Sequence, residues 1–336
     1  LNIVMSYIDY NMAGLAEREI FSCTSTQTEE IYHRLLEREE ILGAVLIATC
    51  NRTELYLNLK EGTKVNPFEE LCRSIDVKYE DYAFMNKTLS GEDAIVHLCK
   101  VAAGAESQIW GEDQIISQVR ESITRARALK ASDTILNVVF RTGVSAGKKV
   151  KTLVDFKVDD NSTAARAVGV IKKNPEVNHV LIIGNGMIGR LVGELLIQEG
   201  IEATMTLRQY KHGDNIVPKG CKTVNYNDRY QAMEHSDAVI SATLSPHHTV
   251  YYDQIQEVED LPRIFIDLAV PRDIDPLIEG IEGVDYYNID DISRDTRTAK
   301  QEEQLKQIEQ IIEKYIDDFY KWYEFREKMI VKECDI

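Results

Sequence analysis

No run in this chain approaches the roughly 18 consecutive apolar residues that a membrane-spanning helix needs. The N-terminal residues lack the basic flank, long apolar stretch and small-residue cleavage site of a secretory leader. No membrane association is therefore expected, and the expected location is the cytoplasm. Cysteine occurs six times (Cys23, Cys50, Cys72, Cys99, Cys221, Cys334) but never as a CxxC pair. That spacing indicates neither a zinc site nor a disulfide framework, and predicts free thiols. Positive charge is also short, 39 Lys and Arg against 56 Asp and Glu, for a net charge of -17. Such a total is unpromising for a nucleic-acid partner, because phosphates are bound by basic surfaces.

The shortage is uneven. Between Gln114 and Lys151 stand eight basic residues (Arg120, Arg125, Arg127, Lys130, Arg141, Lys148, Lys149, Lys151) and two acidic ones (Glu121, Asp133). This segment carries +6, and the remainder of the chain -23. A polyanion docking on that segment and an ordinary solvated helix face both fit the pattern.

At 336 residues and 44% hydrophobic, the chain is long enough for two domains with separate cores. Residues 1 to about 60 alternate strand and helix patterns: a strand over Ile3 to Ile8, an amphipathic helix over Ser25 to Glu40, and strand, turn, strand over Gly43 to Leu59. From Ser90 to about Val154 the pattern is helical, broken between Gly104 and Gly111. A second organisation starts near Asn178. The β-branched run His179 to Ile183 leads directly into Gly184-Asn185-Gly186-Met187-Ile188-Gly189 and a helical stretch from Arg190 to Glu199. A lone GxGxxG is weak. Between a strand and a helix it indicates dinucleotide binding, with the glycines making the turn, admitting a pyrophosphate and letting helix pack on strand. Strands at Ala203 to Leu207, Ala238 to Ser241 and Ile264 to Leu268 complete the pattern of a doubly wound, mostly parallel sheet.

One further absence concerns the second of these strands. Where an NAD-binding protein places an Asp or Glu for the ribose 2′-hydroxyl, this chain reads Leu207-Arg208-Gln209-Tyr210-Lys211. An Arg with a nearby Lys suits a 2′-phosphate, so NADPH is the expected cofactor, with Arg208 as its reader. Near the C-terminus, Leu305, Ile308, Ile312, Tyr315, Phe319 and Trp322 form one apolar stripe on a long helix, covered by the chain itself or open to another copy.

The remaining feature is Cys50. It stands among Thr49, Asn51, Arg52 and Thr53, between two apolar runs, with Glu54 four residues away. A single cysteine beside apolar residues is usually a small hydrophobe. Polar neighbours place this one at a turn, where Arg52 favours the thiolate or holds an anionic group of a substrate. A nucleophilic thiol together with a nicotinamide domain suggests attack on an activated acyl carbon, followed by hydride reduction of the thioester to an aldehyde.

The residues Ala48-Thr49-Cys50-Asn51-Arg52-Thr53-Glu54-Leu55-Tyr56 closely resemble the active-site motif of glutamyl-tRNA reductases. Further blocks resemble that family in the same order: His97 to Gly104, Ser107, Gly111 to Ile115, Gln118-Val119, Gly143 to Val150, Ile266 to Pro276 and Tyr287 to Ile292. The resemblance implies an N-terminal α+β catalytic domain over 1-152, a Rossmann-type NADPH domain over 153-290 and a long helix over 291-336. It also implies the reduction of glutamyl-tRNA to glutamate semialdehyde, the first step of the five-carbon tetrapyrrole route, without a metal. By the same carry-over Cys50 is the nucleophile and His97 a proton donor or orienter. Thr49, Asn51, Arg52, Ser107, Glu112, Asp113, Gln114 and Gln118 fall at substrate positions, and Gly184, Asn185, Gly186, Met187, Ile188 and Gly189 form the pyrophosphate loop. Implied partners are glutamyl-tRNA and the downstream semialdehyde aminomutase.

The chain departs from the family at Asp9-Tyr10-Asn11, where an Asn-His pair is usual, and at Leu207-Arg208-Gln209, where Asn-Arg-Thr is common. It also ends soon after the long helix, where the family's dimerisation domain would follow, so a monomer or weak dimer is expected. Two other readings fit the same residues: an NADPH dehydrogenase of another small carbonyl compound, and a non-catalytic paralogue that binds tRNA or a pathway partner.

Overall fold

The computed structural model describes residues 1–156, 162–208, 216–293 and 299–334. The chain divides into two compact units, Leu1–Lys157 with Thr296–Ile336, and Val158–Asp295. The first unit is built from β1 (Ile3–Asp9), α1 (Leu15–Ile20), α2 (Ser25–Leu36), β2 (Ile41–Ala48), β3 (Arg52–Leu59), α3 (Pro67–Ser74), α4 (Tyr79–Tyr82), β4 (Lys87–Ser90), α5 (Gly91–Ala102), α6 (Gln114–Ala128) and α7 (Thr134–Leu153). Its four strands pair antiparallel in the order β2-β3-β1-β4.

All eight residues of β3 are buried, so both faces of the central sheet are covered. Helices α2 and α3 pack together against the sheet, and α5, α6 and α7 form a second group against it. Alternation along β3 sends Arg52, Glu54, Tyr56 and Asn58 to one face. On that face Tyr56 meets Phe140 of α7, and Asn58 donates to Asp133, the residue that caps α7. The helix expected over 25–40 starts on a Thr24–Gln27 capping box but ends at Leu36, beyond which Arg38 pairs with Glu40 and Glu70.

The second unit contains α8 (Thr163–Lys172), β5 (His179–Ile183), α9 (Met187–Gln198), β6 (Glu202–Leu207), β7 (Lys222–Asn225), α10 (Arg229–Met233), β8 (Ala238–Ser241), α11 (Tyr252–Ile255), β9 (Ile264–Asp267), β10 (Asp285–Asn288) and α12 (Ile289–Ser293). Its six strands are parallel in the order β10-β9-β8-β5-β6-β7. This is the doubly wound order, whose reversal between β5 and β8 opens a crevice at the carboxyl ends of the strands. The two strands that the sequence pattern does not reveal, β7 and β10, are the sheet's edges. Both are short and polar, because an edge strand buries little.

The last helix, α13 (Ala299–Cys334), belongs to the first unit. Its stripe is covered by the chain itself: Ile308, Ile312, Ile316 and Phe319 are buried in that unit's core, with Leu305, Tyr315 and Trp322 packed against it. No helix among the described residues is long and apolar enough to cross a membrane.

Candidate active site and dinucleotide cradle

In the first unit, the last pair in the antiparallel register of β2 and β3 is Ala48 with Thr53, which leaves four residues, Thr49 to Arg52, to reverse the chain. Thr49 closes the turn: its N–H donates to Arg52 O at 2.9 Å, and its Oγ1 accepts from the N–H groups of Asn51 and Arg52 at 3.3 and 3.2 Å. Cys50 is thus held at the tip of a hairpin, half-buried. Asn51 is buried, and its Oδ1 has no hydrogen-bond partner among the described residues. Of the other cysteines with described side chains, burial pushes Cys23, Cys72 and Cys99 up to about 12 and raises Cys221 as well. Those thiols are poor sources of thiolate.

Arg52 does not stand open beside the thiol. It is 2% exposed, donating through Nη1 to Glu54 Oε1 at 2.7 Å and through Nη2 to the Glu106 carbonyl. Glu54 is wholly buried and also accepts from Tyr56 Oη at 2.7 Å, with His97 Nε2 at 3.0 Å. Burial alone would raise this carboxyl, but His97 and Arg52 outweigh it and hold the group down at about 2. The Tyr7 ring stacks on His97, centroids 4.4 Å apart. Sequence reasoning noticed Glu54 and gave it no role. Its signal was a carboxylate on the same strand face as Arg52.

A second loop, between α5 and α6, faces this end of the sheet. Gly104 and Gly111 both have positive φ, and the N–H of Gly111 donates to Gly104 O at 3.0 Å, pinching the loop shut. Tyr10, at the position where a family histidine is usual, ties the two loops together. Its N–H donates to Asn51 O at 3.1 Å and its hydroxyl to Ser107 O at 3.4 Å. Lys151 fastens the loop from α7, donating to the Gly111 carbonyl, to Glu112 O at 2.9 Å and to Asp113 Oδ1 at 2.8 Å. Trp110 donates to the buried Gln304 of α13 at 2.9 Å. Among the expected substrate residues, Ser107 is buried, Glu112, Gln114 and Gln118 are half-buried, and Asp113 is exposed. Burial raises the Glu112 carboxyl, with Lys151 and Arg52 opposing. Gln114 and Gln118 are one turn apart and share a face of α6.

The acid response follows from Glu54. A carboxyl held at about 2 when folded, against roughly 4.3 when unfolded, contributes stability that is present above pH ~4.3 and lost as pH falls toward 2. Both tryptophans, Trp110 and Trp322, lie in the first unit, so their fluorescence reports that unit alone. Acid unfolding followed this way should lose steepness between pH 4.3 and 2 in Glu54→Gln. An unchanged profile would show that Glu54 does not govern this range.

In the second unit the glycines sit where the turn requires them. Gly184 has φ +108°, and a Cβ there would lie 2.6 Å from Ala242 O. At Gly189 a Cβ would fall inside the Gly184 carbonyl oxygen. Gly186 is exposed with open space around it and caps α9 with no side chain, so the first N–H groups of that helix are free for a pyrophosphate. Met187 is exposed, and Asn185 and Ile188 are half-buried. Beneath the crevice two buried aspartates pin the neighbouring loops. Asp273 accepts from Ser241 Oγ at 2.8 Å and Thr243 N at 2.7 Å, and Asp267 from Ala269 N at 3.0 Å and Ile274 N at 2.8 Å. Burial raises both, Asp267 well above the usual range with Asp273 as a second cause. Arg208 is exposed at the end of β6, its guanidinium 4.5 Å from the centre of the Tyr226 ring. Lys211, expected beside it, lies outside the described residues.

Two sequence profiles match: "Glutamyl-tRNAGlu reductase, N-terminal domain" over residues 7–154 and "Shikimate / quinate 5-dehydrogenase" over residues 166–294. A glutamyl-tRNA reductase of Acetivibrio thermocellus is 47% identical over 331 residues, covering 98% of this chain and all of that one.

The chain belongs to the glutamyl-tRNA reductase family.

A second family member, from Alkaliphilus oremlandii, is 44% identical, covering 97% of this chain and 98% of its own length. The solved glutamyl-tRNA reductase from Methanopyrus kandleri aligns over 98% of this chain and 82% of its own, with TM-score 0.53 and 26% identity. Family membership gives the hairpin tip and the glycine cradle a common context. Among the described residues, no group of three or more His, Cys, Asp or Glu is placed to hold a metal ion.

Proposed function

We propose that the chain reduces glutamyl-tRNA to glutamate semialdehyde with NADPH, through a thioester on Cys50. The observation that carries the reading is a half-buried thiol at a hairpin tip, beside a loop of polar groups, in a family member that also has a dinucleotide cradle. The Cys50 sulfur attacks the ester carbonyl carbon, the bond to the ribose oxygen breaks, and the thiol proton passes to that oxygen as tRNA leaves. His97, half-enclosed by Tyr7 and Glu54, exchanges that proton. Asn51 offers a buried, unmet acceptor, and Thr49, Ser107, Glu112, Asp113, Gln114 and Gln118 supply hydroxyl, amide and carboxylate groups for the glutamyl amine and carboxylate. Arg52, buried against Glu54 and the Glu106 carbonyl, contributes its positive charge from behind these groups. Gly184, Asn185, Gly186, Met187, Ile188, Gly189 and Arg208 would hold NADPH, which when bound would supply the hydride for reduction of the acyl group as the Cys50 thiolate is released.

The polynucleotide finds its counter-charge on α6, the turn after it and α7. Arg120, Arg125, Arg127, Lys130, Arg141, Lys148 and Lys149 are exposed, and none is ion-paired among the described residues. Lys151, the eighth, is spent on the site loop. Helix α6 begins at Gln114 and α7 ends just past Lys151, so α6 leaves the site loop and α7 returns to it. Substituting these cations should flatten the salt dependence of tRNA binding.

Cofactor choice rests on Arg208. Arg208→Ala should weaken NADPH binding roughly 10- to 100-fold, the 1.5 to 3 kcal/mol of a charge-assisted hydrogen bond, and spare NADH. Equal losses for both cofactors, measured by fluorescence titration, would remove Arg208 from that role.

The activity itself is tested with purified protein, charged glutamyl-tRNA and NADPH. Glutamate semialdehyde should form, and none should form from free glutamate. NADPH-dependent reduction of dehydroshikimate, with no semialdehyde, would favour the small-carbonyl reading. Binding of tRNA without any reduction would favour the non-catalytic one.

A further inference from the structure

One buried carboxylate has no part in the chemistry assigned so far. Glu54 lies on β3, on the same strand face as Arg52 and Tyr56 and directly across the register from Tyr7 of β1. Its exposure is zero. Oε1 meets Arg52 Nη1 at 2.7 Å and His97 Nε2 at 3.0 Å, and Oε2 meets the Tyr56 hydroxyl at 2.7 Å. We propose that Glu54 is a positioning residue that fixes His97 with its proton on Nε2, leaving Nδ1 as the ring nitrogen that exchanges a proton with the reacting ester. The proposal rests on the thioester reading above and adds to it the state and orientation of the histidine.

The deduction uses the direction of each hydrogen bond. A carboxylate without a proton only accepts. Glu54 is such a carboxylate throughout the neutral range, since it is held at about 2 by His97 and Arg52 against its burial. The groups on its other side remain donors: Arg52 is raised further, and the Tyr56 phenol is pushed well above its usual value, chiefly by burial and then by Glu54 itself. Nε2 must therefore carry a hydrogen, and in the neutral ring the lone pair is on Nδ1. Burial first, and then the nearby Asp9 and Glu106 carboxylates, push the Tyr7 phenol up to about 12, so it too stays protonated. Tyr7 stacks on the imidazole with 24° between the planes, so the ring is held on a face as well as at one nitrogen.

A purely structural role would need only the Arg52 pair. An imidazole used for proton exchange also needs one nitrogen anchored so that the other is correctly aimed, and Glu54 supplies that anchor at Nε2. The signal in the sequence is faint, because Glu54 and His97 are 43 residues apart and meet only when α5 packs on β1 beside β3.

The test is nitrogen-15 NMR of the histidine rings in the full chain, with the His97 signal assigned by its loss in His97→Gln. The wild type should show His97 protonated on Nε2, and a neutral His97 protonated on Nδ1 would overturn the proposal without any variant. In Glu54→Gln the carboxamide oxygen stays at the Oε1 place, where Arg52 and His97 Nε2 both meet it, and the NH2 faces the Tyr56 hydroxyl, so Nε2–H should persist. In Glu54→Ala the acceptor is gone, and the neutral ring should populate the Nδ1–H form. Single-turnover transfer of the glutamyl group to the protein should then fall by about 100-fold or more, with the tRNA Kd within twofold of wild type. A Glu54→Ala protein that transfers at the wild-type rate overturns the positioning role alone. A wild type that transfers no glutamyl group overturns this proposal and the thioester reading together.

Discussion

A Cys50→Ser protein should form semialdehyde at least about 10³-fold more slowly than wild type while binding charged tRNA with unchanged affinity. The substitution is close to isosteric, and the turn that carries it is held by Thr49 and by the Tyr10 bond to Asn51, neither of which involves the sulfur. What changes is the nucleophile, because a serine hydroxyl is far less ionised near neutral pH than a thiol. Rescue by another cysteine is not expected. Cys72 and Cys99 are fully buried, and burial holds Cys23, Cys72 and Cys99 at about 12. Cys99→Ser is the informative control, since Cys99 lies two residues from His97 on α5 and should affect packing only. If Cys50→Ser retained near-normal production of semialdehyde, the thioester route would be excluded.

Gly189→Ala should separate the two half-reactions. Its methyl group would fall on the backbone of Gly184, with Ile182 Cγ2 at 3.5 Å behind it. Gly184 has no room to retreat, since its own free side faces Ala242 O. A clash between two pieces of backbone is relieved only by moving the loop, which costs ~1 to 3 kcal/mol or more and displaces the free N–H groups at the start of α9. NADPH binding should therefore fall by about 100-fold or more, while glutamyl transfer to the first unit continues and the acylated protein accumulates. Gly169→Ala is the matched control. Gly169 lies inside α8 with nothing within 4 Å of a new methyl, so the change should stabilise the protein by a few tenths to ~1 kcal/mol. Normal NADPH affinity in Gly189→Ala would show that the loop is not the cofactor's cradle.

Much of the fold could be read before the structure because its periodic patterns are strong. The apolar run ahead of Gly184, the glycine spacing and the stripe from Leu305 to Trp322 each follow from burial on one element. The turn at Cys50 was legible for the opposite reason, since four polar residues interrupt two apolar strands. Side-chain commitments were not legible. Arg52 reads as an accessible cation at a turn, yet antiparallel pairing places it opposite Asp9 at the buried start of β3 and couples it to Glu54. Lys151 reads as one more charge of a basic surface, yet the α7 helix carries it back onto three oxygens of the 111–113 loop. Neither fact is local in sequence. Each depends on which helix or strand lies beside it.

The most direct test of the account is a single-turnover reaction with radiolabelled glutamyl-tRNA and no NADPH, followed by proteolysis and peptide mapping. The label should be found on the peptide containing Cys50, sensitive to hydroxylamine as a thioester is, and adding NADPH before proteolysis should release it as semialdehyde. Label on the Cys99 peptide, or semialdehyde formed by a protein that never carries a covalent glutamyl group, would contradict the account.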